Sequence, residues 1–185
     1  AAFLAMDGAT EEYRIAQGRV NTAFESAGLS SEAAKKSYNE FYKILGETDT
    51  AAEASQLLAK LTRSEEDISK WTKISAGVMG TFGDSLPVEG LIEAANETAR
   101  VGQVTGPLAD ALNWVSISED DFNKKLAKCS DEASRNKLIM DTLSKQYDGA
   151  ADAFYKNNEQ LTKSRAYQNQ LSASMSVLGN ASLTA

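Results

Sequence analysis

The chain has 185 residues, 42% hydrophobic and 24% charged, which are values of an ordinary folded protein and not of a disordered one. Nineteen basic against 26 acidic residues give a net charge of −7, a poor balance for non-specific binding to nucleic acid or anionic membrane, since both attract basic surfaces. Histidine is absent, which removes the commonest general base and metal ligand, and a single cysteine, Cys129, excludes an internal disulfide framework and fits a reducing compartment.

The length suffices for a real core, because a chain of this size buries roughly 70% of its unfolded surface. Only two prolines occur, Pro87 and Pro107, against 28 alanines, the best helix former. The expected fold class is therefore all-α, a multi-helix bundle of about eight or nine helices ending in a long C-terminal helix. No apolar run approaches the ~20 residues of a membrane span. Residues 1–6 (AAFLAM) lack the basic and long apolar regions of a signal peptide. The alanine at position 1 and the lack of a helix stop before Ala185 are what a piece excised from a longer protein would show.

In chain order, Ala9, Tyr13, Ala16, Val20, Phe24 and Ala27 step by three and four, which predicts one helical face over residues 3–27, stopped by Gly28. Ser30 or Ser31 caps the next helix, whose inner face is Ala34, Tyr38, Phe41, Tyr42 and Leu45, and Gly46 ends it. Thr50 and Glu53 have capping-box spacing and predict a third helix with Ala54, Leu57, Leu58 and Leu61 inward. Ser64 and Asp67 open a fourth, lined by Ile68, Trp71, Ser75, Val78 and Met79. Residues 80–87 (GTFGDSLP) read as a loop. Leu91, Ile92, Ala95 and Ala99 carry a fifth helix to about Val104, broken by Thr105-Gly106-Pro107. A short helix holds Leu108, Ala111, Leu112 and Val115, another runs from Ser118 with Phe122, Leu126 and Cys129, and an eighth starts at Ser130 with Leu138, Ile139, Leu143 and Tyr147.

The last segment differs in kind. Phe154, Leu161, Leu171, Met175 and Leu178 recur near heptad spacing, with weak inner positions at Asn157, Ser164 and Gln168. That is the pattern of a long helix able to self-associate through 149–178 as a coiled coil. The expected division is an entering helix (1–28), a compact helical domain (29–147) and an exiting long helix (148–185).

Chemistry-bearing patterns are few. P-loop, dinucleotide fingerprint, H-E-x-x-H, CxxC and EF-hand spacings are all missing. Glu65-Glu66-Asp67 and Glu119-Asp120-Asp121 could bind a cation, but each follows a serine at a helix start, where negative charge offsets the helix dipole. Cys129 follows Phe122 and Leu126 on an apolar face and reads as core; without a base it is no activated nucleophile. Trp71 and Trp114 could stack a ligand and are both expected in the core. Asn96-Glu97-Thr98 matches a glycosylation sequon without an indicated secretory route. Lys35-Lys36 and Lys124-Lys125 are isolated pairs expected on solvent faces. The 80–91 loop, with three glycines, Phe82 and Pro87, is read as an inter-helix connection or a docking loop. No catalytic, cofactor-binding or metal-ligating residue is assigned, and no cofactor is expected.

Three stretches carry a resemblance. AFESAGLSSEAAKKSYNEFYKILGETDTAAEASQLLAKL (23–61), GTFGDSLPVEGLIEAANETARVGQVTGPLADALNWVSISEDDFNKKLAKC (80–129) and RNKLIMDTLSKQYDGAADAFYKNNEQL (135–161) resemble tail tape measure proteins of phages and prophages of Gram-positive gut bacteria. The strings DSLPVEGLIEA and LADALNW are the specific part. The chain departs from the pattern at Val115-Ser116-Ile117, where Ala-Gly-Ile is expected.

The resemblance implies a structural role in the virion. Such proteins are helical, lie in the tail lumen, set tail length as tube subunits polymerise around them, and leave at genome ejection. The implied partners are the tail tube protein, tail assembly chaperones and tail tip or baseplate proteins, met in the bacterial cytoplasm during assembly. No direct contact with nucleic acid is expected of this segment. A different class of function also fits the residues: a helical protein–protein interaction module of a cytoplasmic or surface bacterial protein. A third, an enzyme of unrecognised type, lacks an acid–base constellation in the sequence. A continuous helix of this length would span about 280 Å, whereas a globule has a radius of gyration of about 16 Å. The interrupted helices favour a folded bundle that elongates inside a narrow tube.

Overall fold

The computed structural model describes residues 2–62 and 64–184, with side chains described for 10–62 and 64–177. Among the described residues there are nine α-helices, one 3-10 turn and no strand. The helices are α1 (Ala2–Ser26), α2 (Ser31–Leu45), α3 (Thr48–Leu61), α4 (Glu65–Phe82), α5 (Val88–Val101), α6 (Pro107–Trp114), α7 (Glu119–Ala127), α8 (Glu132–Asn157) and α9 (Glu159–Thr184); the 3-10 turn is Gly83–Ser85. The expected all-α bundle with a long last helix is what the chain forms.

Helix starts follow local chemistry. Ser30, Ser64 and Ser118 each accept a hydrogen bond from the backbone amide three residues on, satisfying one orphan donor of α2, α4 and α7. Two starts were misplaced by the spacing. α3 begins at Thr48, because the amide of Ala51 already bonds the carbonyl of Glu47, and the Thr50 hydroxyl turns back to the Glu47 carboxylate at 3.1 Å. α8 begins at Glu132, because Asp131 and not Ser130 receives the Ser134 amide, at 2.8 Å. The predicted loop at 80–87 is shorter than expected, since α4 continues through Phe82.

The chain packs into two units, residues 57–157 and residues 1–56 with 158–185. This division differs from the expected 1–28, 29–147 and 148–185. α8 runs through position 148 without a break, because Gly149 is an exposed helical position with open space around it. The chain turns at Asn158 instead, and α9 packs with α1 and α2.

In the 57–157 unit α4 is the central element. Ile68, Trp71, Thr72, Ile74, Ser75, Ala76, Gly77 and Val78 are all buried, so nearly every side of the helix is covered. Its buried hydroxyls are satisfied within the helix, Ser75 on the Trp71 carbonyl at 2.7 Å and Thr72 on Ser69 at 3.1 Å. Against it lies α8, with Ile139, Met140, Leu143, Tyr147, Ala151 and Phe154 buried. The crossing is close because Gly77 has no side chain: a Cβ there would stand 2.5 Å from the Tyr147 carbonyl oxygen. α5 adds Leu91, Ile92, Ala95 and Ala99 to the core and ends where the Arg135 guanidinium of α8 donates to the Ala99 carbonyl at 2.5 Å.

In the other unit α1, α2 and the start of α3 meet through Tyr13, Ala16, Val20, Phe24, Tyr38, Phe41, Ala51 and Ala54. Ala9 of the predicted α1 stripe lies outside the described side chains. α9 joins them by a polar face. Among its described side chains the buried ones are Thr162 and Asn169, and Arg165 is half-buried between them. The Arg165 Nη1 donates to the carbonyls of Lys43 at 3.1 Å and Ile44 at 2.9 Å, placing a cation on the negative end of α2. Gly46 ends α2 at φ 75, and a Cβ there would lie 2.5 Å from the Arg165 Nε. The Asn169 amide donates to the Asn39 side chain, and Arg14 of α1 donates to Ser176 Oγ at 3.2 Å and its carbonyl at 3.1 Å. Of the predicted heptad positions, Phe154 is buried on α8, Leu161 and Leu171 are exposed, Met175 is half-buried and Leu178 lies outside the described side chains.

The Gly77 contact generates a paired prediction. Gly77→Ala should destabilise the protein by about 1–3 kcal/mol, because the added methyl meets backbone that cannot give way. Gly149→Ala, in open space on α8, should stabilise it by about 0.5–1 kcal/mol. Urea denaturation of both variants reads the two signs side by side.

Candidate functional site

The structure distributes the sequence candidates over separate places. The acidic triplets sit in first turns. Asp67 donates its amide to Ser64 and Asp121 donates its amide to Ser118, each at 3.2 Å, and Glu66 pairs with Lys70 at 3.3 Å. No group of metal-ligating side chains assembles among the described residues. Cys129 is half-buried at the end of α7, its thiol 3.7 Å from the Lys125 carbonyl, so it is not the core residue expected. The apolar face of α7 stops at Leu126, and Cys129 lies past the helix end. Asn96 of the sequon donates to the Leu57 carbonyl at 3.1 Å, and Thr98 is fully buried. Lys35, Lys36, Lys124 and Lys125 are exposed, as expected. Among the described residues no helix is long and apolar enough to cross a membrane.

The two tryptophans part ways. Trp71 is 2% exposed and belongs to the core. Trp114 is 66% exposed, against expectation. The buried residues of α6 are Leu108, Ala111 and Leu112; Trp114 is six residues beyond Leu108 and four beyond Asp110, which puts it on the polar side of the helix. That spacing is legible in the sequence and favours the outward position. The ring is nonetheless anchored, edge-on to Phe82 with centroids 5.3 Å apart. Phe82, Ser85, Leu86, Asp110, Asn113 and Trp114 together line a notch of about 430 Å³. Here the 80–91 segment and α6 come together.

Two larger grooves are mixed in character. One, about 680 Å³ within the 57–157 unit, sets Glu93, Glu97 and Glu132 against Lys60 and Arg100, and Arg100 is spoken for by Glu97 at 2.6 Å. The other, about 520 Å³ between α2 and α9, carries Lys35, Lys43 and Lys163 with Tyr13 and Tyr167. Lys43 and Lys163 are held by Glu40 and Glu159, at 2.7 Å and 2.6 Å.

The strongly perturbed groups are buried phenols. Burial pushes the Tyr147 hydroxyl up to about 12, and its proton is donated to the Ala111 carbonyl at 2.5 Å. Ala111 lies in the last turn of α6, where carbonyls lack a following amide. Tyr38 is likewise raised to about 12, chiefly by burial, inside a cluster with Tyr13 at 5.9 Å and Tyr42 at 6.1 Å. Both phenols face packed helices and no nucleophile stands beside either among the described contacts. Their work is to stay neutral and hydrogen-bonded.

No family model matches the chain, and neither a curated protein nor a solved structure matches it significantly.

The raised phenols predict an alkaline limit. A tyrosine ionises near pH 10 when unfolded, so the stability these two protons provide is complete below pH 10 and is lost as pH rises toward about 12. Denaturation followed at a series of alkaline pH values should show that loss. Tyr147→Phe should reduce it, while costing about 1 kcal/mol at neutral pH for the carbonyl left unpaired.

Proposed function

We propose that the chain is a structural segment of a phage tail tape measure protein, helping to set tail length during assembly and leaving the tail at genome ejection. The observation that carries this reading is the resemblance of residues 80–129. DSLPVEGLIEA runs from the 3-10 turn into α5, where Leu86, Val88, Leu91 and Ile92 are buried, and LADALNW is most of α6. The specific strings are thus packing elements. The partners on this reading are the tail tube protein, tail assembly chaperones and tail tip or baseplate proteins, and the location is the tail lumen. Action as a ruler in a narrow tube would require the folded units to open into extended helix.

The test is a deletion in the phage that encodes the chain. Removing residues 57–157 in frame takes out roughly 100 residues, and tails should shorten by about 150 Å if that stretch is measured as helix. Electron microscopy of the virions reads the length directly. Tails of unchanged length would turn the reading toward the helical interaction module.

The surface of α9 favours self-association as part of either role. Tyr167 and Leu171 are 63% and 45% exposed, and with half-buried Met175 they step by four along the side opposite Arg165 and Asn169. A second α9 would cover that stripe. Light scattering should find a dimer in the native chain and a monomer in Leu171→Glu. A native chain that stays monomeric at high concentration rejects the coiled coil.

A further inference from the structure

The net charge of the chain is confined to one stretch. Residues 74–123 hold eight acidic side chains and one basic, Arg100, which gives −7; the other 18 acidic and 18 basic residues cancel. Arg100 is itself paired with Glu97. The notch of Phe82 and Trp114 lies inside this stretch, and no lysine or arginine lines it.

Four properties of the notch combine. The Trp114 indole is 66% exposed yet held by its edge contact to Phe82, so the ring offers a fixed, open surface. An aromatic face is electron-rich and attracts cations, and tryptophan does so best. Asp110 stands one helical turn before Trp114, on the same side of α6, and is exposed. Leu86, buried at 3%, and Phe82 supply an apolar floor for a methylene stem. Of the two basic side chains, arginine suits this arrangement, because its planar guanidinium stacks on a ring while its N–H fork meets a carboxylate.

We propose that the Phe82–Trp114 notch docks a basic segment of a partner protein, with an arginine side chain laid on the Trp114 indole and its guanidinium paired with Asp110. With Asp110 on its wall and neither lysine nor arginine in its lining, the notch favours a basic segment over neutral or acidic ones. A neutral sugar, the other common guest of an exposed tryptophan, would gain nothing from that field. The assignment does not rest on the tape measure reading, since it uses only the geometry and charge of this unit.

The experiment is a titration of the ¹⁵N-labelled chain with a capped Gly-Arg-Gly-Arg-Gly peptide. The indole N–H of Trp114 reports binding, and that of Trp71, in the core, serves as the internal reference. The expected result is a saturable shift at Trp114 and none at Trp71, weakened by added salt. Asp110→Asn should weaken the affinity about three- to fivefold. Trp114→Leu, at an exposed position, should keep the fold and abolish the response of the neighbouring Asn113 side-chain amide. The proposal is overturned by an equal response to the Gly-Glu-Gly-Glu-Gly peptide, by unchanged affinity in Asp110→Asn, or by no shift at all. A response to the β-linked N-acetylglucosamine disaccharide with none to the arginine peptide would make the notch a sugar platform instead.

Discussion

The approach of α8 to α4 at Gly77 positions most of what matters in the 57–157 unit. With only a hydrogen where a Cβ would stand 2.5 Å from the Tyr147 carbonyl, the two backbones come within the distance that lets Tyr147 bury its ring. From there its hydroxyl reaches the Ala111 carbonyl at 2.5 Å and ties down the end of α6. The same ring lies 6.4 Å from Phe82 at the end of α4, and Phe82 holds Trp114. A packing contact in the core is therefore linked, through one phenol, to the orientation of the exposed indole.

The unit containing α9 is held by a different kind of force. Its first helices bury an apolar core, but α9 is fastened by Arg165 on the carbonyls of Lys43 and Ile44, by Asn169 on Asn39 and by Arg14 of α1 on Ser176. Each of these bonds is directional and modest in net worth, about 0.5–1.5 kcal/mol for a neutral pair and more where a charge takes part. They fix register more than they add stability. Because the polar residues face inward, Tyr167 and Leu171 face outward. The arrangement reverses what burial alone would choose. An arginine from a late helix on the carbonyl end of an earlier one recurs at Arg135 and Ala99, so both units use a cation to offset a helix dipole.

Local chemistry made much of this legible. Serine at a helix start and glycine past a helix end act within one turn, and Ser30, Ser64, Ser118 and Gly46 do what their types dictate. Periodicity found the buried faces of α2, α4, α5 and α8 because each meets an apolar neighbour. On α9 it did not find the side that meets α1 and α2, where a guanidinium and an amide take the interior, because that preference depends on carbonyls that a distant segment supplies. Trp114, expected in the core, stands one turn after Asp110 on the polar side of α6 and so faces outward. The expected boundary at 147/148 falls inside α8, where Gly149 is a tolerated helical residue because nothing crowds it. At Ser116 the departure from the expected Ala-Gly-Ile turn falls on a backbone with φ 64, the left-handed region that glycine occupies without strain. The amide of Ile117 there closes on the Leu112 carbonyl at 2.9 Å, so the turn keeps its shape at a conformational cost to the serine.

Charge, read on the folded chain, separates into two uses. Outside residues 74–123 the acidic and basic residues balance, and many are accounted for by helix ends or by neighbours, as in Lys73 with Asp148 and Asp152 at 2.8 Å and 3.3 Å, or Lys163 with Glu159. Exposed pairs of this kind add little stability, and their number says little about the fold. Inside residues 74–123 the acids also take helix ends, with Glu89, Asp110 and Glu119-Asp120-Asp121 in first turns, and Glu97 holds Arg100. The stretch nonetheless supplies only one basic residue for eight acidic ones, and Asp110 lines the notch of the one tryptophan that the described structure leaves mostly exposed. Self-repulsion within that stretch costs folding energy. A basic segment docked in the notch, as proposed, would offset part of that charge and cover the indole at once.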